Sequence, residues 1–414
     1  MRNLLVSAAA MVCFGAMAPA IADDQEGDRD RDFDGGFAIA VYGDAPYGCK
    51  VAPATDPTAC PSGFNPDTKD GPNPGDPRQL DATPAFIDAI NADSKVRLVL
   101  HTGDIHSGSN YCTLSYDRRI FDLWKRFRDP LVYTPGDNEW ADCHKSGEGG
   151  NVTSSAGHYV DYAAGNPVAN LALVRAMFFK NAGETLGVHK MRVTSQAVAN
   201  DPNFASDAEH VENVMWEQSK VLFVTMNIPG GSNNDDDVWF GTAKTGTQIQ
   251  EVAQRTAADL RWLDAAFAKA RAHNDRAVVI MEQADMWDLD GKAQSHIANY
   301  EVFIDRIVAN MSTFGKPVLL INGDSHNYRS DNPLKSGQPC AIELGASIGA
   351  CNDDAWANHS PSRNYDVDNS KFHRLVVHGS TFPLEYVRMS VDPSASNDPT
   401  DTSFGPFSWE RVIP

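Results

Sequence analysis

Four Gly-Asp pairs in this sequence each follow a short apolar run of the kind that forms a buried β-strand. The runs are AIAVYGD, LVLHTGD, LVYTPGD and VLLINGD, and they end at Asp44, Asp104, Asp137 and Asp324. Ligands of open α/β sheets gather beyond the carboxyl ends of the strands. Four carboxylates at four such ends therefore predict one acidic site that attracts cations.

A fifth strand-like run and a histidine add to this site. The run Ala277–Met281 is followed by Glu282 and Gln283, and His326 stands two residues after Asp324. An oxygen-rich site fed by five strands can hold two divalent cations that share a carboxylate, which is the arrangement that catalyses in-line displacement at phosphorus. Because two cations activate a bridging water and neutralise a phosphoryl oxygen, hydrolysis would need no nucleophile from the protein.

The elements between these runs alternate as they do in βαβ units. Strands are predicted at Phe37–Tyr42 and Val96–His101, and a helix over Pro84–Ala92 lies between them with Thr83 as its N-cap. The remaining predictions are helices over Tyr116–Arg128, Val168–Phe179, Glu251–His273 and Ile297–Met311, a strand pair within Asn213–Asn227, and strands at Val318–Ile321, Ala341–Leu344, Arg374–His378 and Tyr386–Val391. Such alternation is typical of an α/β fold with parallel strands.

The ordered phrases resemble the motifs of the calcineurin-like metallophosphoesterases, a family that includes the purple acid phosphatases. Its motifs are Asp-x-His, Gly-Asp, Gly-Asn-His-Asp/Glu, a lone His after a strand, and Gly-His-x-His. This chain has GDAPY, TGDIH, PGDNEW, MEQAD and GDSH in the same order over Phe37–Arg329, and it also resembles secreted bacterial members that carry GDNEW-x-D-C-H. The resemblance implies a four-layer α/β/β/α sandwich of two mixed sheets, with the metals at the sheet edge.

The resemblance also implies a ligand set. The predicted metal ligands are Asp44, Asp104, Asp137, Gln283, Asp324 and His326, with Glu282 as the alternative to Gln283 and Asp104 shared by two cations. Only Asp44, Asp104 and His326 keep the residue types of the family. Elsewhere imidazole or amide gives way to carboxylate or amide oxygen, so we expect Mn, Mg or Ca to be favoured over Zn or Fe.

The family's proton donor has no direct counterpart in this chain. Asn138 stands where the family has its protonating His, and an amide cannot take over that role. His106 and His144 are the candidates to replace it, so Asn138, His106 and His144 are the predicted catalytic positions. Tyr47 and His106 are close enough in sequence to supply missing cation ligands.

Two functions stay open at this point. The first is an exported metal-dependent phosphoesterase that hydrolyses phosphate mono- or diesters of a small substrate. The second is a family member that binds a divalent cation or a phosphorylated ligand without turnover. A P-loop nucleotide site is excluded because no Gly-rich loop ends in Gly-Lys-Ser/Thr. Asn233 and Asn234 could contact a phosphate oxygen, although a plain turn explains them better.

Composition bounds the location and the partners. Residues 1–22 have a basic start, an apolar stretch and an Ala-Ile-Ala end, which is typical of a secretory signal peptide and predicts a periplasmic or secreted protein. We expect an acidic disordered leader over 23–36, a metallophosphoesterase-like domain with loop insertions over 37–392, and a C-terminal tail over 393–414. The net charge of −20 disfavours nucleic acid, and no later apolar run approaches a membrane span. The oligomeric state stays open.

Six of the seven Cys lie outside the predicted signal peptide. An even number in an exported chain is typical of disulfides, and six Cys allow 15 pairings. Proximity in sequence favours Cys49–Cys60 and Cys340–Cys351, which leaves Cys112 and Cys143 to join the loops after the second and third strands. Their spacings are not those of a zinc site.

Overall fold

The computed structural model describes residues 36–48, 79–108, 110–145, 148, 150, 165–234, 236–344, 347–359 and 363–414. Several parts of the chain lie outside these residues, including the predicted signal peptide over 1–22, the leader up to residue 35, the Cys49–Cys60 pair, and residues 49–78 of the predicted domain. All of the predicted metal ligands and all three predicted catalytic positions lie within them.

Fifteen strands of the described chain form two sheets. In chain order they are β1 Phe37–Tyr42, β2 Val96–His101, β3 Leu131–Tyr133, β4 Thr194–Ser195, β5 Val214–Gln218, β6 Val221–Thr225, β7 Ala277–Met281, β8 Val318–Asn322, β9 Arg329–Asp331, β10 Ala341–Leu344, β11 Ser347–Ala350, β12 Phe372–Val376, β13 Tyr386–Val391, β14 Ser403–Phe404 and β15 Phe407–Val412. The first sheet has the order β14-β15-β13-β1-β2-β3, and the second has the order β11-β10-β9-β12-β8-β7-β6-β5-β4. Both sheets mix parallel and antiparallel neighbours.

Helices cover the outer faces of both sheets. The α-helices are Gln79–Ala92, Leu114–Trp124, Pro167–Phe178, Gln196–Ala199, Gly246–Ala272 and Glu301–Phe314, and 3-10 helices span Asp142–His144, Ala205–Glu209, Gln294–Tyr300 and Ala355–Asn358. The first three helices pack on the first sheet, and the helices Gly246–Ala272 and Glu301–Phe314 pack on the second. The predicted four-layer α/β/β/α sandwich of two mixed sheets is therefore confirmed.

The period of two along a strand explains how the layers form. In β1, Ile39 and Val41 belong to the core between the sheets, while Ala38 and Ala40 face the helices. In β7, Val279 faces the first sheet and its neighbours along the strand face the helices of the second. Because these strands are buried on both faces, they read in the sequence as continuous apolar runs.

Parallel pairing brings together the carboxyl ends of the strands that precede the predicted site residues. β1 pairs parallel with β2, and β2 pairs parallel with β3. In the second sheet, β7 and β8 are parallel neighbours. The carboxyl ends of β1, β2 and β3 therefore lie side by side, as do those of β7 and β8.

Two predictions about element bounds are corrected. Thr83 is not an N-cap, since the helix begins at Gln79 and the Thr83 hydroxyl donates to the carbonyl of Gln79 at 2.6 Å. Residues 393–414 are not a tail separate from the domain, because β15 pairs with β13 along its whole length and buries Phe407 and Trp409. The flanking Pro and Ser residues hid the short alternating pattern of FSWERV.

Two disulfides are formed in the described residues, Cys112–Cys143 and Cys340–Cys351, as predicted. The first ties the loop after β2 to the 3-10 helix after β3, and both of its cysteines are fully buried. No helix of the described chain combines the length and the apolar composition needed to cross a membrane.

Candidate metal centre

Five side chains from four strand ends converge where the two sheets meet. One group consists of Asp44, Asp104 and His326, and a second consists of Asp104, Asp137 and Asp324. Within each group, one potential ligand atom per residue lies within 4.8 Å of the others. Asp104 belongs to both groups, which is the geometry of a carboxylate shared by two cations.

The backbone at this centre is locally strained. Asp44, Asp104, Asp324 and His326 have φ values of 48°, 56°, 73° and 64°, in the left-handed region. Asp and His enter this region more readily than most residues, yet each instance costs about 1–3 kcal/mol. Such strain concentrates at functional sites, because the surrounding fold must hold it in place.

Two glycines of the Gly-Asp pairs leave room for carboxylates of other strands. A Cβ built on Gly136 would lie 2.0 Å from Oδ1 of Asp104. A Cβ built on Gly323 would lie 2.2 Å from Oδ2 of Asp44. The Gly after β3 thus makes room for the Asp after β2, and the Gly after β8 makes room for the Asp after β1.

The carboxylates of the centre are buried close to one another. Burial raises the pKa of Asp44 and of Asp104 well above their usual range, and the neighbouring carboxylate charges raise both further. The pKa of Asp137 is raised to about 7, first by burial and then by the charge of Asp142. The pKa of Asp324 is shifted in the same direction by burial and by Asp137. A cation among these groups would remove the repulsion.

The donor set fits a divalent cation. Oδ1 of Asp44 accepts the backbone N–H of Asp324 at 2.9 Å, whereas the buried Oδ2 has no hydrogen-bond partner among the described residues. An ionised oxygen without a partner is costly inside a protein unless it coordinates a metal. Carboxylate oxygens, which dominate the donor set, are ligands that Mn²⁺, Mg²⁺ and Ca²⁺ prefer, whereas the one imidazole is a ligand typical of transition metals.

His326 is in the form that a metal ligand needs. Burial and, to a smaller extent, the charge of His378 lower its pKa to about 4, so the imidazole is neutral at pH 7. Its Nε2 lies 3.5 Å from Oδ1 of Asp44 and 3.1 Å from the hydroxyl of Tyr47. Tyr47, which sequence proximity offered as an additional ligand, therefore lies at the first group.

The strand end after β7 contributes Gln283 and not Glu282. The amide nitrogen of Gln283 lies 3.3, 3.2 and 3.2 Å from oxygens of Asp104, Asp137 and Asp324. Glu282 belongs to neither group, and burial followed by the charge of Asp259 raises its pKa. Successive residues after a strand point to opposite sides, which separates the two side chains.

Asp324 is held by a buried ion network. The backbone N–H of Asp285 donates to Oδ2 of Asp324 at 2.9 Å. Oδ1 of Asp285 accepts from Arg374 at 2.5 Å, and Arg374, 1% exposed, also donates to Asp331 at 2.8 Å. The guanidinium thereby fixes the segment that positions Asp324.

The three predicted catalytic positions occupy different surroundings. The amide of Asn138 donates to Oδ2 of Asp104 at 3.1 Å and to the carbonyl of His106 at 3.0 Å. The His106 ring is fully buried, and burial lowers its pKa to about 4. His144 is 7% exposed, and its Nδ1 lies 2.8 Å from the carbonyl of Ala141. Asn138 is thus in contact with the centre, whereas the described contacts of both histidine rings lie elsewhere.

The glycine-rich turn Gly230–Asn234 has an unusual backbone. Gly231, Ser232 and Asn233 each have a φ of 61°, and Asn234 has a φ of 59°. The side-chain oxygens of Asn233 and Asn234 accept from Arg255 and Trp239, so they serve the turn itself. The Gly and Asn content predicted a turn, but its left-handed course depends on these distant partners.

Lys145 was not predicted. Its Nζ lies 2.6 Å from Asp142 and 3.0 Å from Asp237, and its side chain is 38% exposed. Although burial lowers the pKa of Lys145, the charges of Asp142 and Asp137 raise it above its usual value. In the sequence, only its position directly after His144, a predicted catalytic residue, could have indicated that Lys145 lies near the site.

A family model described as calcineurin-like phosphoesterase matches residues 39–269, which is more than half of the chain. The chain belongs to the calcineurin-like phosphoesterase family. No curated protein matches it. Among solved structures, a purple acid phosphatase isolated from yellow lupin (Lupinus luteus) seeds is similar with a TM-score of 0.36 and 10% identity, covering 86% of this chain and 49% of the lupin chain. This chain therefore spans about half the length of the lupin enzyme.

The departures from the calcineurin-like phosphoesterase motifs are unevenly distributed. Asp44, Asp104 and His326, which keep the residue types of the family, form the first group. In the second group, the substituted positions Asp137 and Asp324 join Asp104, and the Gln283 amide lies beside them. The two halves of the centre therefore differ in chemistry.

Proposed function

We propose that the chain is an exported metal-dependent phosphoesterase that hydrolyses mono- or diesters of a small phosphorylated substrate. The observation that carries the proposal is the convergence of Asp44, Asp104, Asp137, Asp324 and His326 into two groups that share Asp104. Divalent cations bound there would supply Lewis acidity, which activates water and neutralises phosphoryl oxygens. No protein nucleophile is required for such a reaction.

The side chains would divide the work of binding. Asp44, His326 and Tyr47 would hold a cation on one side of Asp104, and Asp137 and Asp324 offer carboxylate oxygens on the other. Because oxygen donors dominate, Mn, Mg or Ca should be preferred over Zn or Fe.

Lys145 can contribute to substrate binding. Its positive charge lowers the pKa of Asp137, and its side chain is partly exposed. A phosphate group could compete for it with Asp142 and Asp237, because all three are anionic oxygen acceptors.

Protonation of the leaving group is the weak step of the proposed reaction. The Asn138 amide, which donates to Asp104 and to the carbonyl of His106, is neither acidic nor free. A missing general acid typically costs 10²–10⁴-fold. Esters with good leaving groups should therefore be cleaved much faster than alkyl esters, unless His106 or His144 supplies the proton.

The same observation favours a second function. A member that lost its proton donor could bind a divalent cation or a phosphorylated ligand without turning it over. The carboxylate groups serve that function equally well, so only an activity measurement separates the two.

A serine hydrolase is not supported. The chain contains one Gly-x-Ser-x-Gly run, Gly345–Gly349, but Ser347 begins β11, which pairs antiparallel with β10. A nucleophile elbow needs a strand followed by a helix.

Export is supported by the two disulfides, which form in oxidising compartments, and by the composition of residues 1–22. The acidic balance of the chain disfavours nucleic acid as the phosphorylated partner.

The deciding experiment uses protein purified without chelators. Hydrolysis of p-nitrophenyl phosphate and bis-p-nitrophenyl phosphate is measured with added Mn²⁺, Mg²⁺, Ca²⁺ or Zn²⁺, and again with excess chelator. We expect cation-dependent cleavage that Asp104→Asn abolishes. The matched control is Asp366→Asn, because the side chain of Asp366 is 79% exposed and forms an ion pair only with Lys335 among the described residues.

Two results would contradict the proposed activity. Cleavage that persists with chelator would rule out the metal mechanism. Tight cation binding without cleavage of either ester would replace the enzyme by the binding function.

A further inference from the structure

The orientation of the Gln283 side-chain amide is fixed by the backbone. Its Oε1 accepts the N–H of Gly230 at 2.6 Å. A backbone N–H can only donate, so the oxygen end of the amide must face Gly230. The Nε2 end then faces Asp104, Asp137 and Asp324 at 3.2–3.3 Å.

Gly230 cannot easily release this hydrogen bond. A Cβ on Gly230 would lie 2.4 Å from Oδ2 of Asp137 and 2.9 Å from Oδ1 of Asp324, so the backbone lies directly against the carboxylates. On one side, the hydroxyl of Tyr300 donates to the carbonyl of Pro229 at 3.0 Å. On the other, the left-handed turn is anchored by Arg255.

The amide hydrogens therefore point at the second group of carboxylates. Asp104, Asp137 and Asp324 are the residues whose oxygens would bind a second cation. Hydrogens carry partial positive charge, so they compete with a cation for the same lone pairs. An amide nitrogen that carries two hydrogens also has no lone pair to offer a metal.

In the first group, the Gln283 amide contacts only Asp104, the residue that both groups share. Oδ2 of Asp44 has no hydrogen-bond partner among the described residues. The neighbouring hydroxyl of Tyr47 can serve as an oxygen donor to the same cation. Asp44 therefore has an oxygen available to a cation, whereas all three carboxylates of the second group already accept a hydrogen bond from Gln283.

We infer that the two subsites are unequal: the Asp44–Asp104–His326 group binds a divalent cation tightly, and Gln283 closes the Asp104–Asp137–Asp324 group to a second one. Gln283 is then a positioning residue that holds three carboxylates together, and not a ligand. This inference rests on the proposed function, because it assumes that the centre binds cations.

The test is the number of ions retained. Protein loaded with Mn²⁺ is dialysed against metal-free buffer, and bound Mn is measured by mass spectrometry and by electron paramagnetic resonance, which distinguishes isolated from adjacent ions. We expect one isolated ion per wild-type chain, with a second binding at least about tenfold more weakly, since a hydrogen bond to a charged group is worth that much.

Variants at Gln283 give opposite signs for the two roles. If the amide is a ligand, Gln283→Ala weakens binding of the second ion; if it closes the subsite, Gln283→Ala tightens it by about tenfold. Gln283→His, which restores the residue type of the family, should retain two adjacent ions. Circular dichroism checks the fold of each variant, and the wild-type stoichiometry decides the question if a variant does not fold.

The outcomes separate this inference from the proposed function. Two ions held equally tightly by the wild type, or weaker second binding in Gln283→Ala, would overturn the inference alone, provided that Asp104→Asn loses both ions. A wild type that retains no ion under any condition would overturn the proposed function and the inference together.

Discussion

Replacing Asp44 by Asn should change stability in opposite directions with and without metal. Asn keeps the Oδ1 that accepts the N–H of Asp324 at 2.9 Å. Its Nδ2 takes the place of Oδ2, which is buried without a hydrogen-bond partner among the described residues. The substitution therefore removes a buried charge and preserves the hydrogen bond that the carboxylate makes.

The expected magnitudes follow from these contacts. In metal-free protein at pH 7, Asp44→Asn should raise the free energy of unfolding by about 1–3 kcal/mol, because Asn cannot carry the negative charge that burial and the neighbouring carboxylates disfavour at this position. With cation at about 1,000 times its Kd, the wild type gains about 4.1 kcal/mol from binding. The variant has lost a ligand and gains little, so it should become the less stable protein.

Urea unfolding at pH 7 with chelator and with saturating Mn²⁺ measures both differences. Asp366→Asn is the matched control and should follow the wild type in both conditions. If Asp44→Asn lowers stability by the same amount with and without Mn²⁺, then Asp44 is a structural hydrogen-bond acceptor and the reasoning about the centre is refuted.

Three further predictions concern the same region. Folding raises the pKa of Asp137 from 3.8 to about 7, so the unfolded chain releases this proton at lower pH than the folded protein does. As pH rises from 4 to 7, the unfolding free energy of metal-free wild type should therefore fall relative to that of Asp137→Asn. Unfolding curves that show no such trend would contradict this. Gly136→Ala should displace Asp104, lower retained Mn and cost about 1–3 kcal/mol of unfolding free energy, whereas Gly246→Ala, with no atom within 4 Å of its added Cβ, should do neither. Replacing Cys112 and Cys143 together by Ser should cost about 3–4 kcal/mol. Titration of unreduced, denatured wild type should find neither thiol, and free thiols at both positions would count against the link.

The strands that carry the centre could be predicted from the sequence because their signal is local. Apolar runs buried on both faces gave the bounds of β1, β2 and β7 as the structure has them. The fold class was predicted from the order of the family-like motifs along the chain. β15 was missed because a six-residue alternation between turn-forming residues is weak evidence for a strand.

Contacts between distant residues could not be predicted in the same way. Gln283 was predicted as a cation ligand from its place after β7, but the direction of its amide depends on the N–H of Gly230 in another loop. The left-handed course of Gly230–Asn234 depends on Arg255 in a helix. No local pattern encodes either contact, since each forms only when separate elements pack together.

Because each glycine makes room for an aspartate on another strand, the residues of this centre depend on one another across motifs and not within a motif. Gly136 makes room for Asp104, and Gly323 makes room for Asp44, although each glycine is followed in the sequence by a different aspartate. A loop transplanted alone into another scaffold would bring its aspartate without the glycine that makes room for the carboxylate. Grafting or recombination at this centre should therefore exchange the loops in pairs. Covariation should be sought between residues of different Gly-Asp motifs and not within one motif.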